Sequence, residues 1–268
     1  MSELLLILLF LAVGLSAGIL IGMLGMGGGV IFVPALYYLL PFTGMEESSV
    51  PYFAISISLF AGAIAASFAG SLYLYADNVD KKKALLFAIG SSSAAFVSAI
   101  YVTSVDPGIL KVIFAVVLFV MAINMFLDTQ LKRKPQRINK LNDYILVVIG
   151  LSVGILSVFT GLGGGIIFFP VLHYLFLLNT KKAIGTSSVI SAITMIFASL
   201  SFYINRSEWT GNYQLVDTYL FVAAPLGFGA VLGARIGFNF VLKLSSALVK
   251  KIFSVLLIIV VVKIILSL

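Results

Sequence analysis

The sequence predicts an all-α polytopic membrane protein with about ten transmembrane segments, arranged as two inverted five-segment repeats with glycine-broken short helices. Three observations predict this fold. Of the 268 residues, 61% are hydrophobic and only 10% are charged, which is too little charge to cover the surface of a water-soluble globule. The apolar residues fall into ten segments, and a glycine motif of the first half recurs in the second. Most of the chain must therefore lie in lipid.

The ten apolar segments are bounded by charged and turn-forming residues. They cover residues 4–24, 30–42, 51–75, 84–104, 109–127, 143–160, 166–178, 186–204, 217–238 and 250–267. We expect the first to be a retained helix, because it lacks a basic leader and is too long for the apolar part of a signal peptide. Eight segments are long enough to cross a hydrocarbon core of about 30 Å. Residues 30–42 and 166–178 would span only about 20 Å as helices, so we expect half-helices there.

The distribution of basic residues predicts the orientation of the chain, because Lys and Arg in short loops stay in the cytoplasm. One set of alternate loops and flanks holds 14 of the 17 basic residues: Lys81, Lys82, Lys83, Lys132, Arg133, Lys134, Arg137, Lys140, Lys181, Lys182, Arg235, Lys243, Lys250 and Lys251. The other set of loops holds almost none. Both termini of this multi-pass protein are therefore predicted to lie outside the cytoplasm.

An internal duplication is found when the sequence is shifted against itself by 136 residues. Between positions 14 and 38, 15 of the 25 aligned residues are identical, and both copies share the pattern Gly-x-Gly-Gly-Gly-x4-Pro. We predict a first repeat over residues 1–128, a basic cytoplasmic linker over 129–142 and a second repeat over 143–268, forming one membrane domain. Because each repeat has an odd number of segments, the second enters the membrane from the opposite side. Inverted repeats are a recurrent plan of secondary transporters.

Each repeat has a glycine run immediately before its short segment. The runs contain Gly25, Gly27, Gly28 and Gly29 in the first repeat and Gly161, Gly163, Gly164 and Gly165 in the second. Glycine readily adopts positive φ, and the uncovered N–H groups at a helix N-terminus attract anions. We therefore predict that the two runs bind a small anionic substrate inside the membrane. The alternative is close helix packing, which we expect to be the only role of these glycines: Gly14, Gly18, Gly22, Gly229 and Gly233.

Few polar side chains are available to complete such a site. The candidate hydroxyl groups stand near the start of the third segment of each copy: Ser48, Ser49, Thr186, Ser187 and Ser188. Capping of the helix N-terminus is their alternative role. His173 and Arg235 are accessory candidates; the alternatives are a packed, hydrogen-bonded histidine and an arginine that extends to the membrane interface. Three aromatic residues are expected to anchor the protein at the membrane interface: Trp209, Tyr213 and Tyr219.

The composition argues against several other functions. All ten acidic residues lie in loops or at segment edges, so the sequence offers no buried carboxylate to bind a cation or relay a proton. With no cysteine and a single histidine, the chain has little from which to build a metal site or a nucleophile. We predict no catalytic residues, no metal and no cofactor. The net charge of +7 fits the orientation of helices in the lipid bilayer, and we predict no binding of nucleic acid.

The duplicated motifs, Gly25 to Pro34 and Gly161 to Pro170, resemble those of the sulfite exporter TauE/SafE family of bacterial membrane anion transporters. The resemblance spans both halves, and the patch Thr186-Ser187-Ser188 adds to it. It implies movement of sulfite, sulfoacetate or other organosulfonates across the inner membrane. The predicted function is a secondary transporter that works by alternating access. The alternatives are an anion channel and, with less support, an intramembrane enzyme; the sequence leaves a homodimer, the coupling ion and the direction of transport open.

Overall fold

The structure is a computed structural model that describes residues 2–131, 144–210, 215–243 and Leu248. Within these ranges every regular element is helical, which confirms the predicted all-α class. Most of the predicted linker and the tenth predicted segment, residues 250–267, lie outside the described residues, as does Tyr213.

The helices closely follow the apolar segments of the sequence. They are α1 (Glu3–Leu24), α2 (Gly29–Leu39), α3 (Val50–Tyr75), α4 (Lys81–Tyr101), α5 (Pro107–Leu131), α6 (Tyr144–Thr160), α7 (Gly165–Leu175), α8 (Thr180–Ile204), α9 (Leu215–Thr218) and α10 (Ala224–Lys243). Short 3₁₀ or π-helical turns occupy Leu40–Thr43, Val102–Ser104, Val171–Leu175 at the end of α7, Arg206–Glu208, and Tyr219–Ala223 between α9 and α10.

Five stretches of the described residues are long and apolar enough to cross a membrane. They are Glu3–Leu24, Val50–Tyr75, Lys81–Ser104, Thr180–Ile204 and Tyr219–Val241. The two segments predicted to be half-helices form the short helices α2 and α7, with Pro34 inside α2 and Pro170 just before the π-helical turn of α7. The protein is therefore a multi-pass helical membrane protein. The total of ten spans, the inverted orientation and the repeat boundaries stay predictions.

Helix α1 packs along α10 through backbone contacts on both sides. Side chains built on Gly14 and Gly18 would collide with the carbonyl oxygens of Leu226 and Ala230, and one on Gly233 would collide with that of Leu15. Small residues allow helices in lipid to approach this closely, and packing between such helices supplies much of their association energy. The packing role predicted for the glycines of these two helices is confirmed.

Helix α6 packs along α4 in the same way. A side chain on Gly150 would come within 2.6 Å of the carbonyl oxygen of Phe87, and one on Gly154 within 2.9 Å of the Cα of Ser91. Gly150 and Gly154 correspond to Gly14 and Gly18 in the sequence duplication. The duplicated glycines thus join the first segment of each copy to the fourth segment of the other copy by one type of contact.

Helices α3 and α8 pack against each other in the centre of the molecule, and α2 and α7 pack on them. Their central position brings the two glycine runs together. Trp209, beyond the end of α8, is only 8% exposed and packs its ring against Phe53 and Phe202. The prediction of an interfacial anchor is wrong for Trp209, because its indole N–H donates to the carbonyl of Phe202 inside the fold, at 3.2 Å. Tyr219 is half-buried, with its ring 4.9 Å from that of Phe60.

Candidate anion site where the glycine runs cross

Each glycine run ends one helix and begins the next within a few residues. Gly25 and Gly161, which follow α1 and α6, have φ angles of 68° and 67°. Gly28 and Gly164, which precede α2 and α7, have φ angles of 79° and 73°. Side chains disfavour this left-handed conformation, so glycine is strongly favoured at these positions. The structure has a helix break at both places where the sequence predicts one.

The two runs cross in direct contact. A methyl group built on Gly29 would collide with the carbonyl oxygen of Gly161 and lie 2.8 Å from its carbonyl carbon. In the reciprocal contact, a methyl group built on Gly165 would collide with the carbonyl oxygen of Gly25. The first residue of each short helix therefore lies against the glycine that follows the first helix of the other copy. The contact has the two-fold character expected of a duplicated chain.

The crossing lies half-way along the two central helices. Gly62, in the middle of α3, approaches the carbonyl oxygen of Gly27. Met195, near the middle of α8, places its sulfur 3.0 Å from a methyl group built on Gly27. Both helices are long enough to cross a membrane. The crossing is therefore at mid-depth of the helix bundle.

Two serine hydroxyls fix the carbonyl groups of the crossing. Ser58 on α3 donates to the carbonyl of Gly161 at 2.8 Å, and Ser187 on α8 donates to the carbonyl of Gly25 at 2.8 Å. Ser187 also lies 3.3 Å from the carbonyl oxygen of Gly165. The two glycine runs thus receive reciprocal hydrogen bonds, and their carbonyl oxygens are directed at α3 and α8.

Unlike the carbonyl groups, several amide N–H groups at the crossing have no hydrogen-bond partner among the described residues. Within the described residues, no acceptor pairs with the N–H groups of Gly28, Gly29 and Val30, or with those of Gly164, Gly165 and Ile166. All of these residues are buried. A buried N–H group without a partner is unfavourable, and in a membrane the cost is several kcal/mol by order of magnitude. The crossing therefore offers two sets of donors that a small anion could satisfy.

The hydroxyl residues predicted for the site are placed very differently from one another. Ser48 is exposed and Ser49 is half-buried in the turn before α3, away from the contacts that form the crossing. Thr186 and Ser188 are buried in α8 and donate to the carbonyls of Lys182 and Ile184, at 2.6 and 3.0 Å. Among these residues only Ser187 makes a hydrogen bond to the glycine runs.

Helix capping, the alternative role for these hydroxyls in the second repeat, belongs to another residue. Helix α8 begins at Thr180 rather than at position 186, and Asn179 caps it by accepting from the N–H of Lys182 at 2.8 Å. The basic pair Lys181-Lys182 belongs to the first turn of α8. These lysines therefore mark the end of the apolar segment but not the start of the helix. Thr186 to Ser188 consequently face the interior from the second turn onward.

A polar connection joins this start of α8 to the loop before α4. The N–H of Asp80 donates to Thr186 Oγ1 at 2.9 Å, and the carboxylate of Asp80 accepts from the N–H and Nζ of Lys83 at 3.1 and 2.9 Å. Burial raises the pKa of Asp80, but the hydrogen bonds from Lys83 and the positive charges of Lys83 and Lys182 outweigh it and leave this pKa below its usual value.

The two accessory candidates do not join the crossing. His173 is in the last turn of α7, where its Nδ1 is 2.8 Å from the carbonyl oxygen of Leu178 and its ring stacks on Phe169. This is the packed, hydrogen-bonded arrangement that the sequence left as its alternative. Arg235 is exposed on α10. Within the described residues, no three His, Cys, Asp or Glu side chains lie close enough to hold a metal ion.

Two polar residues at the crossing, Ser58 and Ser191, are absent from the sequence predictions. Ser191 on α8 is completely buried, and its hydroxyl has no hydrogen-bond partner in the part of the chain that the structure describes. This hydroxyl lies 2.8 Å from a methyl group built on Gly165, so it faces the start of α7. One turn further along α8, Thr194 Oγ1 is hydrogen-bonded to Ser91 Oγ at 2.6 Å. The spacing of Ser187, Ser191 and Thr194 is that of one helix face, and this spacing is the signal that could have identified Ser191.

Comparison with known proteins agrees with this architecture. A probable membrane transporter protein of Haemophilus influenzae is 29% identical to this chain, and the matched region covers 95% of this chain and 96% of that protein. A probable membrane transporter protein of Methanocaldococcus jannaschii is 28% identical over 87% of both chains. The probable membrane transporter protein YunE of Bacillus subtilis is 26% identical over 85% of this chain and 87% of its own. No solved structure matches the chain.

A family comparison gives the assignment. The family described as sulfite exporter TauE/SafE matches residues 10–264, which include both glycine runs and almost all of the described helices. The match covers nearly the full chain, and the relatives above are membrane transporter proteins by name. The protein is a membrane transporter that belongs to the sulfite exporter TauE/SafE family.

Proposed function

We propose that the protein is a secondary transporter that moves small sulfur-containing anions, such as sulfite, sulfoacetate or other organosulfonates, across the inner membrane. The observation that carries the proposal is the crossing of two glycine runs, where six buried residues have N–H groups without an acceptor among the described residues. Donors without acceptors attract a ligand that accepts hydrogen bonds on several sides, as a sulfite or sulfonate group does. The family description, sulfite exporter, supports the same chemical class.

The surroundings of the crossing favour an anion over a cation. The polar side chains buried near it are hydroxyl groups, among them Ser58, Ser187 and Ser191. The carboxylates of the chain lie at segment edges or in loops. Cation carriers and proton relays in membranes generally use buried carboxylates. The available groups are donors and dipoles, which bind negative charge without a fixed positive charge.

Alternating access is the mechanism that we propose. The two glycine-packed pairs, α1 with α10 and α4 with α6, flank the central helices α3 and α8. Backbone-to-backbone contact makes each pair a stiff unit, so a change of access is expected to move the pairs relative to the crossing. Separation of Gly29 from Gly161 would uncover one set of amides, and separation of Gly165 from Gly25 the other. Two such openings, one for each glycine run, suit a carrier that exposes its substrate alternately on the two sides.

Transport by purified protein tests the proposal. The protein is reconstituted in liposomes, and uptake of ³⁵S-labelled sulfite is measured with and without unlabelled sulfite inside. We expect saturable uptake that internal sulfite accelerates, inhibition by sulfoacetate, and little inhibition by an equal concentration of chloride. Uptake equal to that of protein-free liposomes for every sulfur anion would refute the proposed substrate class. Large currents that do not respond to internal substrate would instead identify an anion channel.

A further inference from the structure

The hydroxyl of Ser191 is the best-defined unused group at the crossing. The side chain is 0% exposed, and its oxygen has no partner among the described residues. A serine inside a helix usually donates to the carbonyl one turn earlier, as Ser188 and Thr194 do here at 3.0 and 2.8 Å. Leaving a buried hydroxyl unpaired is unfavourable. Its position therefore calls for a partner that the protein itself does not supply.

The neighbours of Ser191 define where that partner would lie. Its oxygen is 2.8 Å from a methyl group built on Gly165, so the hydroxyl lies beside Gly165, the first residue of α7 and one of those whose N–H group has no acceptor among the described residues. Ser187, one turn earlier, is already engaged with the carbonyls of Gly25 and Gly165. Thr194, one turn later, is engaged with Ser91. Of these three hydroxyls on one face of α8, only Ser191 is free to bind a ligand.

The other half of the crossing lacks an equivalent hydroxyl. Ser58 and Ser187 make reciprocal hydrogen bonds to the opposite glycine run, so they are equivalent positions in α3 and α8. Four residues beyond Ser58 lies Gly62, and four residues beyond Ser187 lies Ser191. A side chain at Gly62 would collide with the carbonyl oxygen of Gly27. The two half-sites are therefore unequal, although the glycine runs themselves are matched.

We propose that Ser191 donates a hydrogen bond directly to the transported anion, which binds on the α7 side of the crossing. This inference rests on the proposed function. It adds one residue that binds the anion and the side of the crossing on which the anion lies. The ligand must present an acceptor oxygen to the Ser191 hydroxyl and further acceptor oxygens to the amides of Gly164, Gly165 and Ile166. A sulfite or sulfonate group has three oxygens in such an arrangement.

The substitution Ser191→Ala tests this assignment because it should affect affinity and stability in opposite directions. Loss of a hydrogen bond to a charged ligand is expected to raise the KM for sulfite and the Kd for sulfoacetate about tenfold or more. Removal of an unpaired buried hydroxyl should leave the Tm of the ligand-free protein unchanged or higher. Binding is measured by the thermal shift with sulfite and sulfoacetate at constant ionic strength, and transport by sulfite uptake.

Two further substitutions on α8 serve as matched controls. Ser199→Ala removes another unpaired hydroxyl, two turns beyond Ser191, and should leave both affinity and Tm close to those of the wild type. Ser187→Ala removes a hydroxyl that bonds two backbone carbonyls, and it should lower the Tm of the empty protein. A lower Tm with unchanged Kd for Ser191→Ala would show a structural role and overturn the proposal.

A cysteine at the same position gives an independent readout. The chain has no cysteine, so Ser191→Cys introduces a single thiol of nearly the same size. Modification of this thiol by a small methanethiosulfonate reagent should be slowed severalfold by saturating sulfoacetate. A rate that sulfoacetate does not change, in protein that binds it, would overturn the placement of the anion. If the wild type neither binds nor transports any sulfur anion, the proposed function fails and this inference fails with it.

Discussion

The glycines of the crossing are needed for two different physical reasons. Gly28 and Gly164 have positive φ, so any side chain there strains the backbone. Gly29 and Gly165 have ordinary helical backbone, but the opposite glycine run occupies the space that a side chain would need. Mutation can therefore separate the effect of backbone conformation, at Gly28 and Gly164, from that of close contact between the runs, at Gly29 and Gly165. The close contact is the effect that bears on the proposed site.

Alanine at Gly29 or Gly165 should open the crossing. The added methyl group meets backbone atoms of the other run, which cannot move aside as a flexible side chain can. Overpacking of this kind typically costs about 1–3 kcal/mol, and we expect a lower Tm together with loss of most sulfite uptake in liposomes. Gly227→Ala is the control, because its methyl group would lie 3.3 Å from the mobile end of Ile64. Full uptake by both crossing variants would contradict the proposed role of the contact.

Residue-scale predictions from the sequence were least complete for polar and aromatic side chains. The glycine runs are conspicuous in sequence, whereas Ser191 is one serine in an α8 that is rich in Ser and Thr. Its importance depends on the absence of a partner, and only the packed neighbours determine that. The anchor prediction for Trp209 is wrong for a related reason. Aromatic residues near segment ends usually lie at the membrane interface, but Phe53 and Phe202 enclose the ring of Trp209.

At the scale of elements, the ends of helices differ from the ends of apolar segments. The sequence placed the third segment of the second repeat from residue 186, because Lys181 and Lys182 interrupt the apolar run. In the structure Asn179 caps α8 and both lysines lie in its first turn. Charged residues are compatible with the first turn of a helix whose end reaches water. Hydropathy therefore locates the apolar part of a helix and misses a first turn that contains charged residues.

The cap of α4 predicts a dependence of stability on pH. The pKa of Asp80 is lower in the folded protein than its usual value, so its stabilising effect is full above about pH 4, the usual range of the carboxyl, and is lost as the pH falls below that. Asp80→Asn keeps an N-cap but loses the ion pair with Lys83, and should cost at most about 1 kcal/mol at pH 7. Asp80→Ala should cost about 0.5–2 kcal/mol more.

Thermal unfolding in detergent at pH 7 and pH 3.5 measures these differences. The Tm gap between the wild type and Asp80→Asn should narrow at the lower pH, because the carboxyl of the unfolded chain, whose pKa is higher, takes up a proton before that of the folded protein does. A gap that stays the same at both pH values would show that the ion pair with Lys83 contributes nothing measurable. Comparison of Asp80→Ala with Asp80→Asn isolates the cap.

Packing of α1 against α10 gives a second prediction at this scale. Alanine in place of glycine within a helix is intrinsically favourable by about 0.5–1 kcal/mol. At Gly233 the methyl group would collide with the carbonyl oxygen of Leu15 and lie 2.8 Å from the amide nitrogen of Ile19, and overpacking of about 1–3 kcal/mol should prevail. At Gly227 the nearest atom is the end of the Ile64 side chain at 3.3 Å, which can shift slightly, so the intrinsic gain should remain. Gly233→Ala is therefore expected to lower the Tm and Gly227→Ala to leave it unchanged or raise it. Equal Tm values for the two variants would contradict close packing.

At the scale of the whole molecule, the duplication predicted more of the structure than the composition did. Hydropathy gave the helical segments, but the shift of 136 residues also relates Gly14 to Gly150 and Gly18 to Gly154, which pack α1 on α10 and α6 on α4. It likewise relates the two helix breaks that cross. The duplication does not predict that Gly62 in α3 and Ser191 in α8, which hold equivalent positions, differ in having a hydroxyl group. Such single-residue differences between the repeats can be interpreted only from the contacts that each residue makes in the folded protein.

The inverted orientation of the repeats is the last prediction, and the absence of native cysteine makes it accessible to labelling. Single cysteines replace Ser48 before α3, Lys81 after α3, Lys181 at the start of α8 and Ser207 after α8. The basic loops are expected in the cytoplasm, so a membrane-impermeant maleimide should label Ser48→Cys and Ser207→Cys in intact cells. Lys81→Cys and Lys181→Cys should react only after permeabilisation. Helices α3 and α8 would then run in opposite directions, as inversion requires. Labelling of both Ser48→Cys and Lys181→Cys in intact cells would make them parallel and would exclude an inverted repeat.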